Sequence, residues 1–150
     1  MRAISLLTML VLLTLPMLSA NAQQVPTGRW TTIDDATGKP KSVVEIYAAR
    51  DGTFAGRVVE ILDTREGPNP VCVNCSGSNK DKPIKGMVIL WGLKSAGSGG
   101  RGGHWSGGRV LDPENGKTYK SKLELLDGGR KLGMSGCISF FCRQQVWVRQ

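Results

Sequence analysis

"TYKSKLELL", residues 118–126, alternates without a break: Tyr119, Ser121, Leu123 and Leu125 fall on one side, and Lys120, Lys122 and Glu124 on the other. Successive strand side chains point to opposite faces, so a period of two predicts a strand with one buried and one wet face. Asn115-Gly116 before it and Asp127-Gly128-Gly129 after it supply hairpin turns. The same grammar extends in both directions. Strands are predicted over 28–33 (GRWTTI), 42–49 (SVVEIYAA), 53–62 (TFAGRVVEIL), 86–93 (GMVILWGL), 104–112 (HWSGGRVLD), 118–126, 130–138 (RKLGMSGCI) and 143–149 (RQQVWVR). Asp51-Gly52 marks another hairpin, residues 63–85 form a long Gly/Pro/Ser/Asn-rich loop, and 94–103 (KSAGSGGRGG) form a Gly/Ser loop.

About eight short strands with turn chemistry between them, and no amphipathic helix, predict an antiparallel all-β domain. An eight-stranded sheet of this size can close into a barrel that holds one small ligand; a two-sheet sandwich is the alternative. Val44 and Ile46 share one face of their strand, and Val59 and Ile61 alternate against Val58 and Glu60. The interior, ligand-facing candidates are therefore Val44, Ile46, Val59, Ile61, Tyr119, Leu123 and Leu125. Periodicity sorts residues into two faces without saying which face is inside.

The chain begins with one basic residue, Arg2, an apolar run from Ala3 to Leu18, and Ala20-Asn21-Ala22. That is the form of a secretory signal peptide cleaved after Ala22. The run is shorter than the ~20 residues that span a bilayer, so no stable membrane anchor is expected. A single domain over 23–150 follows, exported to the periplasm or secreted. The formal charge of +8 falls to +7 on removal of Arg2. A basic exported protein meets anionic partners, such as lipid head groups and fatty acid carboxylates. The basic residues are scattered and no groove-reading motif occurs, so nucleic acid is not an expected partner.

"CVNCSGSNKDKPIKG" (72–86) contains a C-x-x-C, a spacing used for redox chemistry, zinc or stapling. Reactive pairs sit at helix N-termini, where the thiol pKa falls. Gly77 and Pro83 break any helix here. Structural zinc prefers tight knuckles and reducing surroundings, whereas the second pair is C-x4-C in "CISFFC" (137–142) and the compartment is oxidising. Stapling remains. A cross-link over the ~60 residues between the pairs would contribute about 4 kcal/mol, against about 2 for each short loop, in the chain-entropy model. Local geometry favours Cys72–Cys75 and Cys137–Cys142, and that pairing is expected. No metal and no cofactor are expected.

Other chemistry is sparse. His104 is the sole histidine and lacks a second His as partner; Asp34-Asp35 open a turn; "DPENG" (112–116) is shorter than a calcium loop; "TGK" (37–39) lacks phosphate-loop glycines. The 94–103 loop, with Lys94 and Arg101, could offer backbone N–H groups to an anion. No catalytic residue is assigned, and the chain is expected not to be an enzyme.

Gly28-x-Trp30 opening the first strand, in a chain closing with "VWVR" (146–149), resembles the lipocalin pattern. There an early Trp plugs the barrel base and an Arg of the last strand lies over it. The physics supports the resemblance. Gly28 permits close approach, Trp30 is the first large apolar residue to close that end, and closure of the barrel brings Arg149 beside it. Arg143 is the second choice. More broadly, "GRWTTIDDATGKPKSVVEIY", "DGTFAGRVVEIL", "KDKPIKG" and "DPENGKTY" together resemble the family catalogued as domain of unknown function 2147, small exported bacterial proteins. The resemblance implies a lipocalin-like barrel and supplies no catalytic residues. Cys137 and Cys142 depart from the family pattern, which agrees with a local pair. The expected function is a non-enzymatic binder of a small apolar or anionic amphiphilic ligand. The alternatives are an envelope stress or thiol-disulfide redox protein acting through Cys72 and Cys75, and an interaction module with a filled barrel.

Overall fold

Eight hairpin-linked strands leave two unpaired edges unless the last strand meets the first, and here it does. The computed structural model describes residues 25–97 and 102–150. In it β1 (Gly28–Ile33), β2 (Pro40–Ala48), β3 (Phe54–Ile61), β4 (Val88–Ser95), β5 (His104–Asp112), β6 (Lys117–Leu126), β7 (Lys131–Ile138) and β8 (Phe141–Arg149) form one closed antiparallel barrel in sequence order. Closure removes the exposed edges that would otherwise template aggregation, and it sets aside the two-sheet sandwich. Residues 1–22, the expected signal peptide, lie outside the described residues, as does Arg101.

The seam between β1 and β8 is short. Trp30 pairs with Arg149 and Thr31 with Val148, and the Gln150 N–H donates to the Arg29 carbonyl at 3.0 Å. Elsewhere the ladders are longer, with eight register pairs joining β7 to β8. Four ladders slip in register; in the β2–β3 ladder Val43 faces Glu60 but Val44 faces Val58, so β3 carries a bulge at Val58–Val59. A bulge places two residues opposite one and breaks strict alternation. Val58 is consequently buried at 2 % exposure and Val59 only half-buried. The expected inward position of Val59 is thus taken by Val58.

The barrel has two unlike halves. One end is formed by the N-terminal approach to β1, the β2–β3, β4–β5 and β6–β7 turns, and the C-terminus. Near this end Trp30, Ile46, Leu93, Leu123 and Trp105 are buried together, with Phe54 edge-on to Trp105 at 6.0 Å between ring centroids. Large rings leave little free space. The opposite end carries the β1–β2, β5–β6 and β7–β8 turns and the long β3–β4 loop.

The long loop is docked rather than free. The Cys72–Cys75 bond forms within it (S–S 2.01 Å), and both cysteines are buried. Cys72 Sγ lies 3.2 Å from the Pro113 carbonyl oxygen, and Asn74 Nδ2 donates to the Glu114 carbonyl at 2.6 Å. Gly116, at φ +72°, makes this approach possible: a Cβ there would stand 1.8 Å from the Asn74 carbonyl oxygen. Gly116→Ala is expected to undock residues 72–75 and to cost about 1–2 kcal/mol, from left-handed strain plus lost contact. Trypsin cleavage at Lys80 and Lys85 would speed up; the Lys82–Pro83 bond is not a trypsin site. Unchanged cleavage would show that the loop does not depend on this contact.

Candidate ligand-binding cavity

Above the filled half the barrel opens into a cavity of about 870 Å³. Its wall is built from inward positions that the strand period places on one face: Val58, Ile89, Val110, Tyr119, Met134 and Trp147. Ile61 also lines it, and Ile84 reaches in from the long loop. Trp147 is 2 % exposed, with its Nε1 donating to Gln145 Oε1 at 3.3 Å. Pockets of ~300–1,000 Å³ with mainly apolar walls are the usual form of a small-molecule site.

The rim is polar and ion-paired. Arg65 Nη2 lies 3.5 Å from Asp34 and also pairs with Asp63, Lys41 pairs with Glu114, and Arg143 Nη2 is 2.9 Å from Asp35. Gln145 Nε2 donates to the same Asp35 carboxylate at 2.9 Å. These pairs tie the β1–β2 turn to the long loop and to β8. The hydrogen bond from Arg65 holds the Asp63 carboxyl down at about 2, below the ordinary carboxylate value, and Arg65 is raised in return. The Thr37 hydroxyl and backbone N–H hold Asp34 below its ordinary value.

Of the residues expected inside, the structure brings only Ile61 and Tyr119 to the cavity wall. Val44, Ile46 and Leu123 are fully buried in the packed half, and Leu125 packs partly buried against it. These four lie in or against the packed core and not in the cavity wall, because a period of two separates inside from outside but not one barrel end from the other. Val58, Val110, Met134 and Trp147 were not singled out. Trp147 carried the best signal, standing two residues before Arg149 on the same face.

The residues expected to plug the base lie together. Trp30 has no exposed surface, its Nε1 donates to the Pro26 carbonyl at 2.8 Å, and the Arg149 guanidinium carbon sits 4.1 Å from its ring centroid. Gly28 adopts φ +125°, and a Cβ there would stand 3.0 Å from Arg149 Nη1. Arg143 lies at the opposite end, on the rim. Cys137 and Cys142 form the second disulfide (S–S 2.01 Å) at the root of the β7–β8 turn. Both pairs are therefore local, and a site with four thiolates has no ligands to draw on. No helix N-terminus follows Cys75; only a three-residue 3-10 turn, Gly77–Asn79, does. His104 lies on the outer wall, 3.7 Å from Glu124. Asp34 and Asp112 accept hydrogen bonds within their own turns, from Thr37 and from Glu114 and Asn115.

A closed eight-stranded antiparallel barrel, packed at one end and open over an apolar cavity at the other, is lipocalin-like in architecture. A solved structure described as "Protein HP1028 from the human pathogen Helicobacter pylori belongs to the lipocalin family" superposes with a TM-score of 0.70. It is 19 % identical and the match covers 84 % of this chain and 83 % of that one, a likeness of fold. The chain belongs to the DUF2147 family, described as uncharacterized protein conserved in bacteria, whose model matches residues 28–149. Among curated proteins no relative matches the chain.

Proposed function

We propose that the protein is an exported, non-enzymatic binder that takes up one small apolar molecule or amphiphile through the mouth of the barrel. The cavity of about 870 Å³ carries this reading: it is apolar in its wall, floored by packed rings and ringed by charge. The two disulfides support an oxidising compartment and hence export; cleavage after Ala22, leaving a single domain over 23–150, rests on the form of the leader sequence.

The rim refines the choice of ligand. Asp34, Asp63, Glu66, Asp112 and Glu114 supply five carboxylates at the cavity, against the three cations Lys41, Arg65 and Arg143. Those cations already have acidic partners. An anionic head group would have to displace a carboxylate, so a neutral or apolar ligand fits this mouth better than an anionic one. The redox alternative draws no support from Cys72 and Cys75, which are bonded, buried and followed only by a three-residue 3-10 turn. The filled-barrel alternative describes one half of the molecule.

Fluorescence titration with the neutral probe N-phenyl-1-naphthylamine tests the reading, using Val110→Trp to fill the cavity. The wild type should bind, the variant at least tenfold more weakly, and palmitate should displace the probe less readily than a neutral long-chain alcohol. Equal binding by both proteins would place the ligand elsewhere, and no binding by the wild type would remove the reading.

A further inference from the structure

The cations at the cavity mouth, Lys41, Arg65 and Arg143, are ion-paired, whereas two cations without such partners, Arg109 and Lys120, lie on the outer wall in one register row. Across β4 to β8, Trp91 pairs with Arg109, Arg109 with Lys120, Lys120 with Cys137, and Cys137 with Cys142. At ~4.8 Å per strand spacing the row runs about 19 Å around the barrel. Arg109 and Lys120 are both exposed and directly opposite each other. Like charges in that position destabilise a strand pair. Neither makes a salt bridge among the described residues, and nor does Lys122, two residues further along β6 on the same face.

The row is bounded by apolar groups. Trp91 is exposed at one end. At the other, the Cys137–Cys142 bond clamps the root of a two-residue turn in which Ile138 pairs with Phe141. The tip holds Ile138, Phe140 and Phe141 in solvent at 64 %, 97 % and 85 % exposure. A rigid turn with three exposed apolar side chains, next to unpaired cations and an interfacial Trp, has the chemistry of a peripheral membrane contact.

We propose that the β7–β8 tip and the Trp91–Arg109–Lys120 row form a docking edge for an anionic lipid bilayer. The Phe140 ring enters the head-group layer while the cations face lipid phosphates. Charge complementarity selects this occupant. A second copy meeting the same face would bring Arg109 and Lys120 against their own counterparts, and the net basic charge, formally +8 over the full sequence and one less without Arg2, adds to that repulsion. Ile138, Phe141 and Cys142 also border the cavity, whereas Phe140, Trp91, Arg109 and Lys120 do not.

Flotation with phosphatidylglycerol–phosphatidylcholine vesicles tests the proposal on the mature wild-type protein. The wild type should float with these vesicles and not with phosphatidylcholine alone, and salt should release it. Trp91 reports the contact, because Trp30, Trp105 and Trp147 are buried; its emission should shift to the blue on binding. Arg109→Thr with Lys120→Thr should weaken binding about 25-fold, at about fivefold per cation. Phe140→Ser should weaken it at least about tenfold, as expected for removing a large inserted apolar side chain. All three positions are exposed and outside the cavity wall, so circular dichroism and N-phenyl-1-naphthylamine binding should match wild type. The proposal is overturned if the wild type stays with the soluble fraction, if the variants float equally well, or if light scattering shows vesicle-free self-association that Phe140→Ser abolishes.

Discussion

Trp30→Ala should lower the unfolding free energy by about 3–5 kcal/mol, the largest single-residue effect in the molecule. Trp30 has no exposed surface and sits where the first strand closes against the last. Its removal leaves a cavity that neither rigid barrel wall can collapse into. It also removes the donor to the Pro26 carbonyl and the face on which Arg149 rests. Urea denaturation followed by circular dichroism measures the loss. Trp30→Phe should recover more than half of it, because a ring is restored while the Nε1 donor is not. A loss below about 1 kcal/mol for Trp30→Ala would mean that the ring does not close the base.

Arg149→Ala should follow at about 2–4 kcal/mol. Stacking alone would give less, because cation–π contacts contribute only about 0.5–2 kcal/mol. Arg149 does more than stack. Its Nε donates to the Gly129 carbonyl at 2.6 Å, Nη1 to Thr27 at 3.0 Å and Nη2 to Val25 at 3.3 Å. One guanidinium therefore joins the N-terminal approach, the β6–β7 turn and the end of β8, and its loss leaves part-buried carbonyls without a donor. Burial lowers its pKa, yet a guanidinium keeps its charge. Arg149→Lys should rescue little, since an ammonium lacks the planar fork that reaches three carbonyls. Unfolding curves of the single and double variants also give a Trp30–Arg149 coupling energy, expected at about 1–2 kcal/mol. Additive losses would show that the two side chains act independently.

The strands were legible because they rest on local signals, and closure followed from their number and from the family resemblance. The alternation in 118–126 and the Asn-Gly and Asp-Gly turns predict β6 and its neighbours almost to the residue, as β5 (His104–Asp112) illustrates. The Trp30–Arg149 pair follows from closure itself, since the first and last strands must meet. What stayed hidden depends on pairing rather than on period. The bulge at Val58–Val59 is set by the register of β2 against β3, and nothing in "RVVEI" announces it. Val44, Ile46 and Leu123 face inward as expected but lie below the cavity, because height in a barrel depends on strand tilt and on where the large rings settle. The docking of Asn74 against Gly116 joins segments about 40 residues apart. "CISFFC" was readable as a clamped turn, whereas the exposure of its aromatic tip needed the barrel around it.

The central claim is that the half-filled barrel holds a small apolar or neutral amphiphilic ligand in its mouth. Native mass spectrometry of the protein purified from its own host tests this most directly. The wild type should carry one bound adduct of lipid-like mass, released on mild activation and missing from Val110→Trp prepared in the same way. A bare wild-type chain that also takes up no neutral amphiphile when offered one, or an adduct kept undiminished by Val110→Trp, would contradict the account.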